Sequence, residues 1–282
     1  MIQIGPYQID ALETGEFALD GGAMFGVVPK PVWSRKIPVD AENRIDMRLR
    51  CLLIRNKDRV VLVDTGIGHK EDENFYTMFR VDYSRFTLEK SLAAHGLTFN
   101  DITDVILTHL HFDHAGGATQ RSADGKLIPT FPNAKYYVQI SNLQWAEHPT
   151  ERDRASYIPH NFVPLQEAGV LTTLDGVTEI FTDIHLELCE GHTTGLQTLR
   201  ITDQKTTLYY CADLVPTSVH LPLPWVMGYD LRPLVTLEEK REVLARAAKD
   251  KWILAFEHCP LMAAATIELN SKGYAVPTAV SL

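Results

Sequence analysis

The sequence predicts an α/β protein in which helices cover mixed β-sheets. Two separated segments, 48–66 and 196–216, each contain an apolar-rich run, a short polar turn and a second apolar run, a pattern typical of a β-hairpin. Amphipathic helical patterns follow at 87–96 and 236–250, and a short buried strand is expected at 252–256. Strands interleaved with helices favour sheets packed against helices.

Composition places the chain among ordinary globular proteins. Of its 282 residues, 45% are hydrophobic and 22% are charged, which gives no reason to expect disorder. No low-complexity tract or linker interrupts the sequence. We therefore expect residues 1–282 to form a single domain.

The charge balance restricts the partners. Lys and Arg number 27 against 36 Asp and Glu, a formal charge of -9 that disfavours nucleic acid and anionic membrane surfaces. No stretch is apolar enough to span a membrane, and the N-terminal residues do not resemble a secretory signal. The sequence predicts a cytoplasmic protein with a small, neutral or weakly charged substrate, and it leaves monomer and homodimer open.

The two hairpin segments resemble each other. Their turns are expected at 56–58 and 203–205, and each second strand ends in an aspartate, Asp64 or Asp213. This likeness suggests an architecture built from a repeated hairpin unit.

The helical segments carry terminal signals. Thr87 is a candidate N-cap, with Gly96 at the other end, while Thr236 and Glu239 have the spacing of a capping box. Segment 139–169 is expected to contain helix and loop. Four cysteines lack CxxC spacing and are expected to be small buried residues rather than disulfide partners: Cys51, Cys189, Cys211 and Cys259.

A dense group of titratable residues follows the apolar run 105–107. In THLHFDHAGG, alternation along an extended segment would direct His109, His111 and Asp113 to one point, with His114 turned to a second. Gly116 and Gly117 are expected to let the backbone turn closely. So many imidazoles and carboxylates need a cation to neutralise them. The pattern predicts a metal site, with four ligands for one ion or fewer ligands on each of two.

Three loops elsewhere offer further ligands, each after an apolar run. His192 lies in CEGHTTG, Asp213 ends TTLYYCAD and His258 follows WILAFE. A strand terminus holds a ligand accurately because the sheet behind it is rigid.

This combination resembles the metallo-β-lactamase superfamily. The matching residues are DTG at 64–66, THLHFDH at 108–114, GHT at 191–193, Asp213 and His258, in the family's order. The resemblance implies an α/β fold with α+β-type layers, a four-layer αβ/βα sandwich of two mixed sheets flanked by helices. It also implies two divalent ions, with zinc expected and manganese, iron or cobalt as alternatives.

The resemblance also assigns the ligands. It gives the first ion His109, His111 and His192, gives the second ion Asp113, His114 and His258, and makes Asp213 the bridge. Asp64 is implied to support the ligand loop without binding metal.

Such a metal site is typical of a hydrolase. Two neighbouring ions can share a water and lower its pKa from ~15.7 toward ~7, which supplies hydroxide at neutral pH. One ion can polarise the carbonyl of an ester or lactone. Asp113 could carry a proton to the leaving alkoxide, so Asp113 and Asp213 are the predicted catalytic carboxylates.

Within the family, the sequence looks most like the quorum-quenching N-acyl-homoserine lactonases, in HLHFDHAGG and in segments 21–33 and 212–225. A tyrosine that contacts substrate in those enzymes is replaced here by Pro216. His220 is the predicted substitute, as hydrogen-bond donor to the substrate carbonyl. Residues expected to contact the substrate or its acyl chain are Met24, Phe25, His220 and Trp225.

Other members of the family remain alternatives. The DxxP bridge loop also resembles phosphotriesterases of the methyl parathion hydrolase group. A persulfide dioxygenase would hold one iron on His109, His192 and Asp213. The imidazole of His111 disfavours the flavodiiron class, and the shortage of basic residues after His258 disfavours a glutathione thioesterase.

Overall fold

A computed structural model describes residues 1–282 and contains sixteen strands and eight α-helices. The strands are β1 (Ile2–Ile4), β2 (Tyr7–Asp20), β3 (Arg44–Arg55), β4 (Val60–Val63), β5 (Asp104–Ile106), β6 (Thr119–Arg121), β7 (Leu127–Pro129), β8 (Lys135–Gln139), β9 (Leu171–Leu174), β10 (Thr178–Phe181), β11 (Ile184–Cys189), β12 (Leu196–Thr202), β13 (Thr207–Tyr210), β14 (Ile253–Ala255), β15 (Ala264–Leu269) and β16 (Ala275–Val280). The helices are α1 (Gly21–Phe25), α2 (Lys30–Trp33), α3 (Glu73–Met78), α4 (Leu88–Ala94), α5 (Phe112–Ala115), α6 (Ile140–Glu147), α7 (Val163–Glu167) and α8 (Pro233–Asp250).

The strands form two seven-stranded sheets, and β6 and β7 form a separate two-stranded sheet. One sheet has the order β1-β2-β3-β4-β5-β8-β9, and its last four strands run parallel to one another. The other has the order β10-β11-β12-β13-β14-β15-β16 and is antiparallel except between β13 and β14. Both sheets are mixed and helices accompany them, so the predicted α/β class is confirmed.

The chain divides into two compact units built from non-contiguous segments. The first unit consists of Met1–Gly5, Phe17–Arg48 and Val177–Leu282, and the second unit consists of Pro6–Glu16 and Leu49–Gly176. The expectation that 1–282 is a single domain stays a prediction.

Both predicted hairpins are confirmed. Strands β3 and β4 pair antiparallel, as do β12 and β13. In the first turn, Asn56 Oδ1 accepts hydrogen bonds of 2.9 and 2.8 Å from the amides two and three residues along. Asp203 Oδ1 does the same in the second turn, at 3.0 and 2.8 Å. The two turns therefore use the same side-chain device, because a short polar acceptor replaces a missing backbone partner.

The helix predicted near residue 90 is confirmed, whereas the start of the last helix was predicted wrongly. Thr87 caps α4 by accepting a hydrogen bond from the backbone of Lys90, at 3.1 Å. Helix α8 begins at Pro233, three residues before the predicted cap, because proline suits the first helical position. Thr236 is therefore inside the helix, and Glu239 accepts hydrogen bonds from the amides of residues 190 and 191 instead of completing a capping box.

The core consists of apolar side chains that the strands and helices bury. All four cysteines are buried and unlinked, as predicted. Burial of each large aliphatic or aromatic side chain contributes ~1.5–3 kcal/mol, so the sheets supply the rigid base on which the strand-end loops stand. None of the helices combines the length and the apolar character needed to cross a membrane.

Candidate metal centre

The second unit gathers the four titratable residues of the HLHFDH segment just beyond the end of β5. His109 Nε2 lies 3.0 Å from His111 Nδ1, and the His109 and His114 ring centroids are 4.0 Å apart. Asp113 and His114 lie on the one-turn helix α5, with 3.9 Å between Asp113 Oδ2 and His114 Nε2. The expected extended alternation therefore fails at Asp113, because the chain turns into a helix after His111.

Asp64 accepts hydrogen bonds from this segment. Its carboxylate accepts hydrogen bonds from Thr108 N and Thr108 Oγ1, both at 2.7 Å, and from His114 Nδ1 at 3.1 Å. Asp64 is fully buried and its φ of 59° lies in the left-handed region. With Nδ1 as the donor, the lone pair of His114 is on Nε2. These contacts confirm the supporting position that the resemblance implied for Asp64.

The two glycines after His114 serve close packing rather than turning. Gly116 has an ordinary helical φ of -59°. A Cβ on Gly116 would lie 2.2 Å from Ile67 O, and one on Gly117 would lie 2.2 Å from Thr65 O. Only glycine allows this approach of two backbones, which corrects the expectation that these residues allow a tight turn.

The first unit gathers His192, Asp213 and His258. Asp213 Oδ2 is 3.2 Å from His192 Nε2, and Asp213 Oδ1 is 3.2 Å from His258 Nε2. One carboxylate thus presents a separate oxygen to each of two imidazoles. The preceding residue, Ala212, has a φ of 43°, a strained conformation for a residue with a Cβ.

The Nδ1 atoms of these two imidazoles have protein partners. His192 Nδ1 is 2.9 Å from Asp230 Oδ1, and His258 Nδ1 is 2.9 Å from the carbonyl of Arg48. Burial lowers the pKa of His192, but the carboxylates of Asp213 and Asp230 outweigh it and raise the pKa to about 9. Asp230 was not predicted from the sequence, because its separation of 38 residues from His192 matches no motif.

The donor set fits divalent metal ions. All seven predicted ligands are at least nine-tenths buried: His109, His111, Asp113, His114, His192, Asp213 and His258. Buried carboxylates need a cation to offset the loss of hydration. Imidazole nitrogens together with carboxylate oxygens are donors that zinc, manganese and iron accept. The chain therefore carries a His/Asp ligand cluster in each unit, four residues in the second and three in the first.

The residues predicted to contact substrate form an aromatic group in the first unit. Phe25 is fully buried and stacks on Trp33 and on His220, with centroid distances of 5.1 and 4.7 Å. Trp225 meets the edge of Phe25 at 5.7 Å and is half-buried, while Met24 is buried. The structure brings all four residues together, and Trp225 keeps the most exposed surface.

His220 cannot donate to a substrate carbonyl in this geometry. Its Nε2 is 2.8 Å from the carbonyl of Met24, and its Nδ1 is 2.8 Å from Thr217 Oγ1. Burial lowers its pKa to about 3, so the ring is neutral and carries one N–H, which the carbonyl of Met24 requires. The predicted role of His220 as donor is therefore wrong, and its contacts are those of a packed structural residue.

A buried lysine that the sequence analysis also missed holds the neighbouring loop. Lys240 Nζ donates to the carbonyls of Pro222 and Trp225, each at 2.8 Å. Burial lowers the pKa of Lys240 to about 7. Through these two hydrogen bonds, Lys240 on α8 positions the segment that contains Trp225.

The fold and these residues match a known family. The sequence pattern of the Metallo-beta-lactamase superfamily matches residues 50–258, well over half of the chain. The chain belongs to this superfamily. A crystal structure of a probable metal-dependent hydrolase from Staphylococcus aureus is similar over 100% of this chain and 99% of that one, with a TM-score of 0.90 and 27% identity. The predicted metallo-β-lactamase fold is confirmed.

Further relatives match this chain at modest identity. A probable metallo-hydrolase of Mycobacterium tuberculosis is 31% identical over 48% of this chain and 45% of its own length, so the match spans about half of that relative. An N-acyl homoserine lactonase of Bacillus thuringiensis is 25% identical over 76% of this chain and 82% of its own. The dizinc quorum-quenching lactonase AidC has the same fold, with a TM-score of 0.79 and 24% identity.

Proposed function

We propose that this chain is a dinuclear lactonase that opens N-acyl-homoserine lactones or related lactones and esters, with zinc as its metal. The observation that carries the proposal is the position of Asp213, which presents one oxygen toward each of two imidazoles at 3.2 Å. A carboxylate placed in this way is suited to bridge two cations. The lactonase named among the relatives supports the choice of substrate class.

The seven predicted ligands would hold the ions. In the assignment that the resemblance implies, one ion would take His109, His111 and His192, the other would take Asp113, His114 and His258, and Asp213 would be shared. Ions held in this way supply Lewis acidity toward a carbonyl oxygen and lower the pKa of a coordinated water.

The chain's own groups orient and move protons. Asp230 and Asp64 fix the imidazoles of His192 and His114, because each accepts the Nδ1 hydrogen and so directs Nε2 to the ligand side. Asp113 is 6% exposed and is the group proposed to pass a proton to the leaving alkoxide. Trp225 is proposed to present its face to the acyl chain, since Met24 and Phe25 are covered.

A substrate panel on protein with quantified metals tests this function. We expect kcat/KM for hexanoyl-homoserine lactone to exceed that for paraoxon by at least about a hundredfold, with two metal ions per chain. Asp213→Ala should lose most of the lactonase activity together with bound metal, while Asp250→Ala, an exposed aspartate at the end of α8, should lose neither.

Three results would contradict the proposal. Higher kcat/KM for paraoxon would favour the phosphotriesterase alternative. One iron per chain without hydrolysis would favour the persulfide dioxygenase alternative. An Asp213→Ala variant that kept two metals and near-normal turnover would show that the bridge is assigned wrongly.

A further inference from the structure

The second unit contains a cavity that the proposed chemistry does not use. Its volume is about 250 Å³, and none of the seven predicted metal ligands lines it. The residues that matter here are Lys70, Phe99, Gln120, Arg121 and Thr130. Their side chains come from segments far apart in sequence, so no motif indicated a pocket.

Lys70 supplies a buried positive charge in the cavity wall. Its side chain is 8% exposed, and Nζ donates one hydrogen bond, to the carbonyl of Gly116. The neighbouring acid, Glu71, is engaged by His160 Nε2 at 2.6 Å. Because an ammonium has three hydrogens, the contact with Gly116 leaves donor capacity for an anion in the cavity. Burial lowers the pKa of Lys70 to about 8, because the loss of hydration outweighs the opposing charge of Glu71.

Thr130 provides independent evidence for a ligand. Its side chain is 5% exposed, yet Oγ1 has no hydrogen-bond partner although it belongs to the cavity wall. Buried hydroxyls are almost always paired, because an unpaired one loses its hydration without compensation. A polar ligand atom in the cavity would satisfy Oγ1.

An apolar extension adjoins the polar cavity. A second cavity of about 350 Å³ shares Phe99, Gln120 and Thr130 with the first and continues between Leu92, Leu97 and Ile128. Arg121 adds an exposed positive charge at the first cavity. Glu89 lines both cavities but is exposed, so water screens its charge. The polar end and the apolar end together match a molecule with a charged head and a hydrocarbon tail.

We propose that this pair of cavities binds a small organic carboxylate that carries an alkyl or acyl chain. The carboxylate accepts hydrogen bonds from Lys70 Nζ and Thr130 Oγ1, and the chain lies against Phe99 and in the apolar extension. Ligand binding here does not depend on the proposed lactonase activity. The site adjoins the residues that follow His114, because Lys70 also donates a hydrogen bond to the carbonyl of Gly116.

Calorimetric titration of the metal-loaded protein tests the site. The ligands are octanoate, 1-octanol and inorganic phosphate, which separate the charge from the chain. We expect octanoate to bind most tightly. Lys70→Met should weaken it about tenfold to a hundredfold and Thr130→Val by several-fold, because each removes one hydrogen bond to a charged group. Lys90→Met, which removes an exposed lysine on α4, should leave binding unchanged.

The metal centre could itself bind a carboxylate, so Asp213→Ala serves as a second control. Octanoate binding that persists in Asp213→Ala and weakens in Thr130→Val supports the proposal even where Lys70→Met fails to fold. Three results would overturn it: no octanoate binding, binding insensitive to both cavity substitutions, or phosphate bound more tightly than octanoate.

Discussion

Replacing Asp230 by asparagine tests how the His192 ligand is held. Asp230 is 2% exposed and accepts two hydrogen bonds, from His192 Nδ1 at 2.9 Å and from Met227 N at 3.2 Å. Asparagine has the same shape but only one acceptor oxygen. Asp230→Asn must therefore turn its amide nitrogen toward one of these two donors, either the imidazole or the backbone of Met227.

The size of the effect follows from this mismatch. A buried donor that loses its acceptor costs ~1–3 kcal/mol. Loss of the carboxylate that supports a metal-binding imidazole weakens metal affinity by roughly 10–100-fold, which corresponds to ~1.4–2.8 kcal/mol. Both routes give the same range, so we expect the Kd of one zinc ion to rise by one to two orders of magnitude in Asp230→Asn.

The assay is a competition titration of the apo protein with zinc and a chromophoric chelator, alongside thermal unfolding. Asp104→Asn is the matched control, because Asp104 is as buried as Asp230 but accepts its hydrogen bonds from Arg59, Thr103 and Tyr137, none of which is a predicted ligand. The control should lower the unfolding temperature without changing the zinc affinity. Unchanged zinc binding in Asp230→Asn, or equal weakening in the control, would show that Asp230 does not support the His192 ligand.

Further predictions concern residues around the two clusters. Gly117→Ala should lower the free energy of unfolding in urea by about 1–3 kcal/mol, because its Cβ would press on Thr65 O. Asp64→Gly relieves the backbone strain at φ 59° but removes the carboxylate, whereas Asp64→Asn keeps one acceptor oxygen. A competition titration should show weaker zinc binding in both variants, and the loss should be larger in Asp64→Gly. His220→Phe should lower stability by ~1–3 kcal/mol by leaving the Met24 carbonyl unpaired, with kcat per folded enzyme unchanged within about twofold; a large drop in kcat would restore His220 to the mechanism.

The features that sequence analysis recovered are those that short stretches encode. Both hairpins were visible because apolar runs flank a short polar turn, and the HLHFDH ligands were visible because four candidates fall within six residues. The start of α8 was missed because Thr236 and Glu239 fit a capping box while Pro233 sets the true first turn. The pattern of residue types was informative, but it did not show which of two valid helix starts the packing would favour.

Residues held by distant partners could not be predicted in the same way. Asp230 was invisible because its partner is 38 residues away, and nothing local distinguishes it from a surface aspartate. The same holds for His220, whose partner Met24 lies 196 residues away. A histidine seven positions after Asp213 fits a substrate-binding role by sequence, but its single N–H is directed to the Met24 carbonyl. A role that depends on the direction of a hydrogen bond cannot be predicted from residue type, because residue type determines only which atoms can donate.

The two look-alike hairpins share a feature that the sequence did not show. A non-glycine residue with positive φ follows each second strand within two residues: Asp64 after β4 and Ala212 after β13, with φ values of 59° and 43°. Such conformations cost ~1–2 kcal/mol and persist where the surroundings fix them. At both places the strained residue is, or directly precedes, a carboxylate that contacts the predicted ligands. The strain is thus located where the chain leaves a rigid sheet and must direct a carboxylate, which explains why the likeness between the halves extends beyond the hairpins to the placement of their functional acids.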